Sequence, residues 1–503
     1  MKPPIRTTRF SRLIVAKTGW LALGLALFSG CSVGPRYARP LAPPASAFKE
    51  VPPDWKTAQP VDFAAKGKWW EVFQDQQLNS LEDRVNVSNQ TLKASESQFA
   101  QARDLVRVNR SSYYPNVSAG ASVQRVHVST DRPNGQFTSV TNYNDFQLPV
   151  DVSYEVDVWG RVRHTVQQAR ANAQASAGDL ESVRLSLHAE LALDYFQLRA
   201  LDAEAELLDS TVVTFQKALE LTQNRYQGGV SSQVDVAQAQ TQLETTRAQA
   251  IDVRVQRAQL EHAIAVLTGQ VPADFSIPAL ALTATPPVVP PGLPSDLLER
   301  RPDIAAGERR MAAANEQVGI ATAAYYPTIS LSATGGFEST SITNWFTGPA
   351  GFVSAGASAV ETLFDAGRRH ALTDQAKSAY DESVANYRET VLGAFQEVED
   401  NLAALRLLEA EAKTEQAAVE SAQHSLDLSN NRYKGGVTTY LEVLTAQSTA
   451  LSDQRTLVQI AGRRMTASVS LIKALGGGWQ ASSLPSAQDL SSTTSPVSST
   501  GGP

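Results

Sequence analysis

The chain has 503 residues, of which 44 are basic and 51 acidic, for a formal net charge of −7, and it holds one cysteine and six histidines. The negative balance argues against a nucleic-acid partner, and a lone cysteine excludes an internal disulfide framework. The histidines at 127, 164, 188, 262, 370 and 424 include no metal-ligand pair at helical spacing, and there is no Gly-rich phosphate loop, so no cofactor, metal or catalytic centre is expected and each histidine is expected at the exposed surface.

In chain order, residues 1–30 read as an export signal. Lys2, Arg6, Arg9, Arg12 and Lys17 come without an acid, and an apolar run from Trp20 to Phe28 leads to Ser29-Gly30-Cys31. The run is too short to span a bilayer permanently. The segment resembles a bacterial lipobox, with Phe28 where an aliphatic residue is usual, and this implies an acylated Cys31 as the mature N-terminus. Ser32 in place of an aspartate implies sorting to the outer membrane. Removing the five basic residues of the signal takes the net charge from −7 to −12. Residues 31–68 are expected to form a lipid-anchored, extended N-terminal segment.

The body is duplicated. Asn224-Arg225-Tyr226-Gln227-Gly228-Gly229-Val230-Ser231 returns as Asn431-Arg432-Tyr433-Lys434-Gly435-Gly436-Val437-Thr438, an offset of 207 from 224 to 431. That offset also carries Gly160-Arg161 onto Gly367-Arg368 and Gly269 onto Gly476, while Tyr113-Tyr114-Pro115 meets Tyr325-Tyr326-Pro327, and Leu92 meets Ile304, at an offset of 212. A register held over most of the chain marks one structural unit used twice. The first repeat is placed at 69–285, a Pro-rich linker at 286–294 and the second repeat at 295–475.

Each repeat reads as helix, strand, strand, helix, helix. Val117, Ala119, Ala121 and Val123 alternate weakly. Phe146, Leu148, Val150, Val152, Tyr154, Val156 and Val158 alternate strictly with Asp145, Gln147, Asp151, Ser153, Glu155 and Asp157. That is a strand with one oily and one wet face, interrupted where Pro149 lacks a donor. Ile329, Leu331, Ala333 and Phe337 repeat the pattern, and a last strand is expected from about Gly351 to Phe364. Tyr113, Tyr114 and Trp159, with Tyr325, Tyr326 and Phe364, sit at strand ends like the girdles of outer-membrane barrels. From Arg161 to Tyr226 there is no proline, and apolar residues recur as a heptad seam from Val162 to Leu219, with a stutter at Val183, Leu187 and Leu191. Such a helix runs about 100 Å. Its copy is Arg368 to Tyr433. Asp194 and its counterpart Asn401 fall on the seam as polar positions.

At the repeated turn, Gly228 or Gly229 permits the left-handed conformation that ends a helix, and Ser232 with Asp235 forms a capping box that Thr439 and Glu442 are expected to repeat. Residues 476–503, rich in Ser, Thr, Gly and Pro, are expected to be a disordered tail.

Four strands cannot close a transmembrane barrel, because open edges in hydrocarbon leave backbone groups unpaired. The chain must oligomerise, and a conduit favours twelve strands from three chains over eight from two, whose interior side chains fill. Several strings occur in the order of one family: Cys31-Ser-Val-Gly-Pro-Arg-Tyr37, Lys68-Trp-Trp-Glu-Val-Phe73, Tyr154-Glu-Val-Asp-Val-Trp-Gly-Arg161, Gly292-Leu-Pro-Ser-Asp-Leu-Leu-Glu-Arg-Arg-Pro-Asp-Ile304 and Lys473-Ala-Leu-Gly-Gly-Gly-Trp479. Through them the chain resembles the TolC-like outer-membrane efflux factors, in the lipoprotein branch of NodT or OprM type. The resemblance implies an α+β membrane protein. Its homotrimer would form a 12-stranded transmembrane β-barrel continued by a periplasmic α-helical barrel, with an equatorial collar built from the linker and the chain ends. It implies a passive exit duct that receives small molecules from an inner-membrane pump through a periplasmic adaptor. Tyr226, Gly228, Gly229, Val230 and Ser231, with Tyr433, Gly435, Gly436, Val437 and Thr438, would form adaptor-docking tips, and Asp235 and Glu442 would ring the aperture. A protein-secretion duct of the same fold, or a lipid-anchored periplasmic coiled coil without a pore, are the alternatives.

Overall fold

The computed structural model describes residues 32–41, 47–50, 67–129, 142–287, 289 and 294–491. Cys31, the export signal and part of the linker lie outside them. Helices α1 (Gln76–Ser88) and α2 (Gln90–Ser111) lead into strands β1 (Asn116–Ala119), β2 (Ser122–His127) and β3 (Asn142–Val156). Helices α3 (Arg161–Gln227) and α4 (Gln233–Leu267) follow. The second repeat runs through α5 (Pro302–Ala323), β4 (Thr328–Ser339), β5 (Gly351–Val360), α6 (Arg368–Lys434) and α7 (Tyr440–Ala474). The duplication is conserved in length: α3 and α6 each have 67 residues, α4 and α7 each have 35.

The sheet is an antiparallel meander in which β1 and β2 both pair with β3, β3 with β4, and β4 with β5. β1 and β2 are therefore two pieces of one strand, and the sheet has four strand positions. The break falls opposite Pro149, between the pairs Ala119↔Val150 and Ser122↔Gln147. Proline offers no N–H to the ladder, and Gly120 N–H bonds the Pro149 carbonyl at 3.0 Å instead. On the other side, a methyl group on Gly336 would sit 2.1 Å from the Leu148 carbonyl oxygen, so only glycine lets β4 follow β3 past this point.

Register confirms the alternation. One face carries the rows Val117↔Val152↔Ala333↔Ala355 and Tyr154↔Leu331↔Ala357; the other carries Ser118↔Asp151↔Thr334↔Ser354 and Glu155↔Ser330↔Ser358. Thr334 Oγ1 donates to Asp151 Oδ1 at 2.7 Å. The β1/β2 side and β5 are both open edges.

Helix α3 packs against α2 and α5 near the sheet, and against α4 and α7 farther away; α6 packs against α5 and then α7. The seam positions Val166, Ala173, Leu191, Leu198, Leu208 and Phe215 are buried. Midway along α3, Ala189, Ala192, Tyr195 and Phe196 are buried as well, so burial there spreads beyond a single stripe. Trp70, Leu78, Val85, Ile264, Met465 and Ile472 close around this stretch in one core.

Two sequence expectations are corrected. Residues 476–491 of the expected disordered tail are folded, the rest of it lying outside the described residues: short 3-10 turns form at Ala481–Ser483 and Asp489–Ser491, and Leu490 packs with Val106 and Ala173. Arg110 Nη1 donates to the Ser491 carbonyl at 2.6 Å, and Gln174 Nε2 to that of Pro485 at 3.0 Å. A few apolar residues suffice where a ready surface awaits them. Nor are all histidines exposed. His188 is 3% exposed, stacks on Trp70 at 4.3 Å, and lies 2.6 Å from Glu82 Oε2 and 3.1 Å from Asn86 Oδ1. Burial lowers its pKa to about 4 and raises that of Glu82, and the pair is neutral as a unit.

Candidate functional site

Two helix-to-helix turns form the end of the molecule remote from the sheet, and they share a backbone. In the first, Gly228, Gly229 and Val230 N–H groups donate to the carbonyls of Asn224, Tyr226 and Arg225 at 3.0, 2.9 and 2.8 Å; in the second, Gly435, Gly436 and Val437 repeat this onto Asn431, Tyr433 and Arg432 at 3.0, 3.1 and 2.9 Å. Gly229 and Gly436 each have φ of +72°, whereas Gly228 and Gly435 are at −79° and −73°. The left-handed residue is thus the second glycine of each pair.

The side chains break the symmetry. Ser232 and Asp235 make a complete capping box: Asp235 N–H to Ser232 Oγ at 3.2 Å and Ser232 N–H to Asp235 Oδ2 at 2.9 Å. Thr439 makes no such cap, contrary to the repeat expected from sequence. There Thr438 donates its hydroxyl to Glu442, and Arg432 Nη1 pairs with Glu442 Oε1 at 3.0 Å. Arg432 takes up the Glu442 carboxylate here, whereas its counterpart Arg225 is turned onto Tyr433, and the box is not closed.

The two tips are tied to each other. Ser231 Oγ lies 2.9 Å from the Tyr433 hydroxyl and donates to Asp235 Oδ2 at 3.1 Å; Arg225 lies over the Tyr433 ring at 4.7 Å and donates to the Lys434 carbonyl at 3.3 Å. Tyr433 is 5% exposed and packs edge-on against Tyr440, while its counterpart Tyr226 is 46% exposed. Tyr433 is therefore a joint between hairpins and leaves the docking set expected from sequence; Tyr226, Val230 and Val437 remain exposed. Arg225, Arg432 and Tyr440 were not singled out in the sequence. For the two arginines the signal was present, since the two Arg-Tyr dipeptides stand at the repeat offset; Tyr440, whose counterpart is Gln233, gave none.

At the sheet, aromatics cluster at both ends. Trp159 stacks on Tyr326 at 4.7 Å and donates to the Pro327 carbonyl at 2.9 Å. At the far end, Trp345 lies 5.6 Å from Phe146 and 5.2 Å from Phe346, which lies 5.6 Å from Phe337. This second girdle was missed because Trp345 and Phe346 fall in the loop between β4 and β5. Asp194 is half-buried, and burial with Glu190 nearby raises its pKa to about 6; Asn401 instead donates to its own helix at Glu397. Among the described residues no group of three potential ligands could hold a metal, and no helix is long and apolar enough to cross a membrane.

A four-position sheet with one oily face, girdled at both ends and continued by two long hairpins, defines a subunit of a membrane channel that crosses the bilayer by strands. The chain belongs to the outer membrane efflux protein family, which matches residues 81–270 and 293–477. It is 33% identical over 461 residues to the probable efflux pump outer membrane protein TtgC of Pseudomonas putida, covering 91% of this chain and 95% of that one. It is 31% identical to the pyoverdine export outer membrane protein OpmQ of Pseudomonas aeruginosa, covering 82% and 88%. Among solved structures it resembles the outer-membrane channel OprN, with a TM-score of 0.83 and 28% identity over 90% of this chain and all of that one. The CmeC outer membrane channel of Campylobacter jejuni gives a TM-score of 0.83 and 25% identity, covering 90% and 96%.

Proposed function

We propose that this protein is the outer-membrane exit duct of a tripartite efflux system, a homotrimer that passively passes small molecules delivered by an inner-membrane pump through a periplasmic adaptor. The observation that carries this reading is the placement of the open edges. The β1/β2 edge continues from α2, and the β5 edge runs into α6, so sheet and helix layers are unpaired on the same two sides. Exposed apolar residues line those helices and α4: Leu105 and Val108 on α2, Ile251 and Val255 on α4, Leu392 and Leu407 on α6. One side is suited to meet the other of the next copy, a head-to-tail contact that closes into a ring. Three copies give twelve strands, with the Ser, Thr and Asp rows facing the lumen and the Val, Leu and Ala rows facing lipid.

The acylated Cys31 anchors the N-terminal strap, and Tyr226, Gly228, Gly229, Val230, Ser231, Gly435, Gly436, Val437 and Thr438 meet the adaptor. Asp235 and Glu442 face the aperture. The purified protein is expected to run as a trimer and to conduct ions in planar bilayers. A monomer without conductance would sink the duct and leave the lipid-anchored coiled coil.

A further inference from the structure

The first described residues are bound to the fold. Val33 N–H donates to the Trp159 carbonyl at 3.1 Å. His164, in the first turn of α3, places Nε2 2.9 Å from Ser32 Oγ and 2.9 Å from the Val33 carbonyl, and Nδ1 2.5 Å from Glu316 Oε2 on α5. The buried Asn315 donates to the Pro35 carbonyl at 3.1 Å. The fit is close: a methyl on Gly34 would lie 2.8 Å from Gly319 Cα, and one on Gly319 would lie 2.7 Å from the His164 ring.

We propose that His164 and Glu316 form a clamp that fastens Ser32 and Val33, the residues following Cys31, to the base of the sheet beside Trp159, so that the acyl anchor is joined to the fold without a free tether. This rests on the lipid-anchor reading above. The clamp follows from hydrogen-bond inventory. The Glu316 carboxylate and the Val33 carbonyl can only accept, so a ring with both nitrogens protonated satisfies both. Among the described residues of the strap, Ser32 and the Val33 carbonyl hydrogen-bond the ring; the charges facing it are Glu316 from α5 and Asp157 from the turn before α3. The bond to Glu316 raises the His164 pKa against the opposing effect of burial. A raised folded pKa means that the clamp's contribution is complete below the unfolded value of about 6.5 and is lost as pH rises through the folded value.

The test uses the acylated full-length trimer carrying a spin label at Val33→Cys, whose carbonyl the clamp holds and which lies ahead of the Asn315 contact with Pro35. The label is expected to be immobilised at mildly acidic pH and to gain mobility about fivefold as pH rises toward 9. With His164→Ala it should be mobile at every pH, and with Glu316→Gln the release should move to lower pH. A heat-resistant trimer band checks that the variants fold; if they do not, amide exchange at Val33 in the parent across the same pH range takes their place. An immobile label in His164→Ala, or exchange at Val33 indifferent to pH, overturns the clamp. Mass spectrometry of the mature N-terminal peptide separates the two readings. An unacylated Cys31 overturns the anchor and the proposal together, whereas an acylated Cys31 beside unchanged mobility overturns the clamp alone.

Discussion

Asp235 and Glu442 stand at the same point of the two repeats and are held by different partners, one by its own capping box and the other by Arg432 and Thr438. If Asp235 only caps, Asp235→Ser should cost about 1 kcal/mol or less and leave conductance unchanged. If three copies of each carboxylate line a constriction, their field concentrates cations there. The Asp235→Ser, Glu442→Ser double mutant is expected to show a larger or less cation-selective conductance in bilayers with little change in melting temperature; a lowered melting temperature with unaltered conductance would assign both to capping. His188 gives a prediction of another kind. Its folded pKa of about 4 lies below the unfolded 6.5, so the unfolded chain binds the extra proton and stability falls as pH drops through that window. His188→Gln is expected to flatten the dependence of the melting temperature on pH between those values, and an equally steep curve in the variant would rule the residue out. Neither partner of His188 was legible from sequence: Glu82 and Asn86 stand more than a hundred positions away, and only the crossing of α1 over α3 brings them to it.

At the scale of elements, Gly229 and Gly436 are where the chain needs a left-handed residue, and a side chain there meets open space but a strained backbone. Gly229→Val with Gly436→Val should cost about 1–3 kcal/mol per turn, leave the trimer assembled, and reduce crosslinking to the adaptor and drug tolerance; wild-type values in the double variant would remove the docking assignment. Gly228→Pro is a different experiment, because its φ suits proline and the loss is the N–H bond to Asn224. The long helices and both central strands were legible because period and length agree: α3 and α6 begin at the two Gly-Arg pairs and end at the two glycine turns, as read from the sequence. The β1/β2 break was not, since its cause, Pro149, lies on the neighbouring strand. The same holds for the tail, where Leu490 reads as isolated until Val106 and Ala173 come together beneath it.

Across the whole molecule, extended segments bind the two long helices at matching positions. Arg199 and Asp202, both buried in α3, bind the segment after α4 through the Pro278 carbonyl at 2.8 Å and Leu280 N–H at 3.0 Å. At the 207 offset, Arg406 pairs with Glu50 of the N-terminal strap, whose backbone also donates to Glu399 at 2.7 and 3.0 Å. The segment after α4 is thus held by α3 of the first repeat, and the N-terminal strap by α6 of the second. Because the sheet and helices hold the assembly, Cys31→Ser is expected to abolish acylation and leave trimers intact; monomers on a native gel would make the anchor part of assembly. The unequal tips have a further consequence. A ring of three chains presents six hairpin ends of two alternating kinds, one closed by a capping box of short local hydrogen bonds, the other by a half-exposed ion pair between Arg432 and Glu442. Mobile ions weaken exposed pairs and leave capping bonds largely untouched, so concentrated salt should loosen every second end and turn a near-sixfold ring into a threefold one.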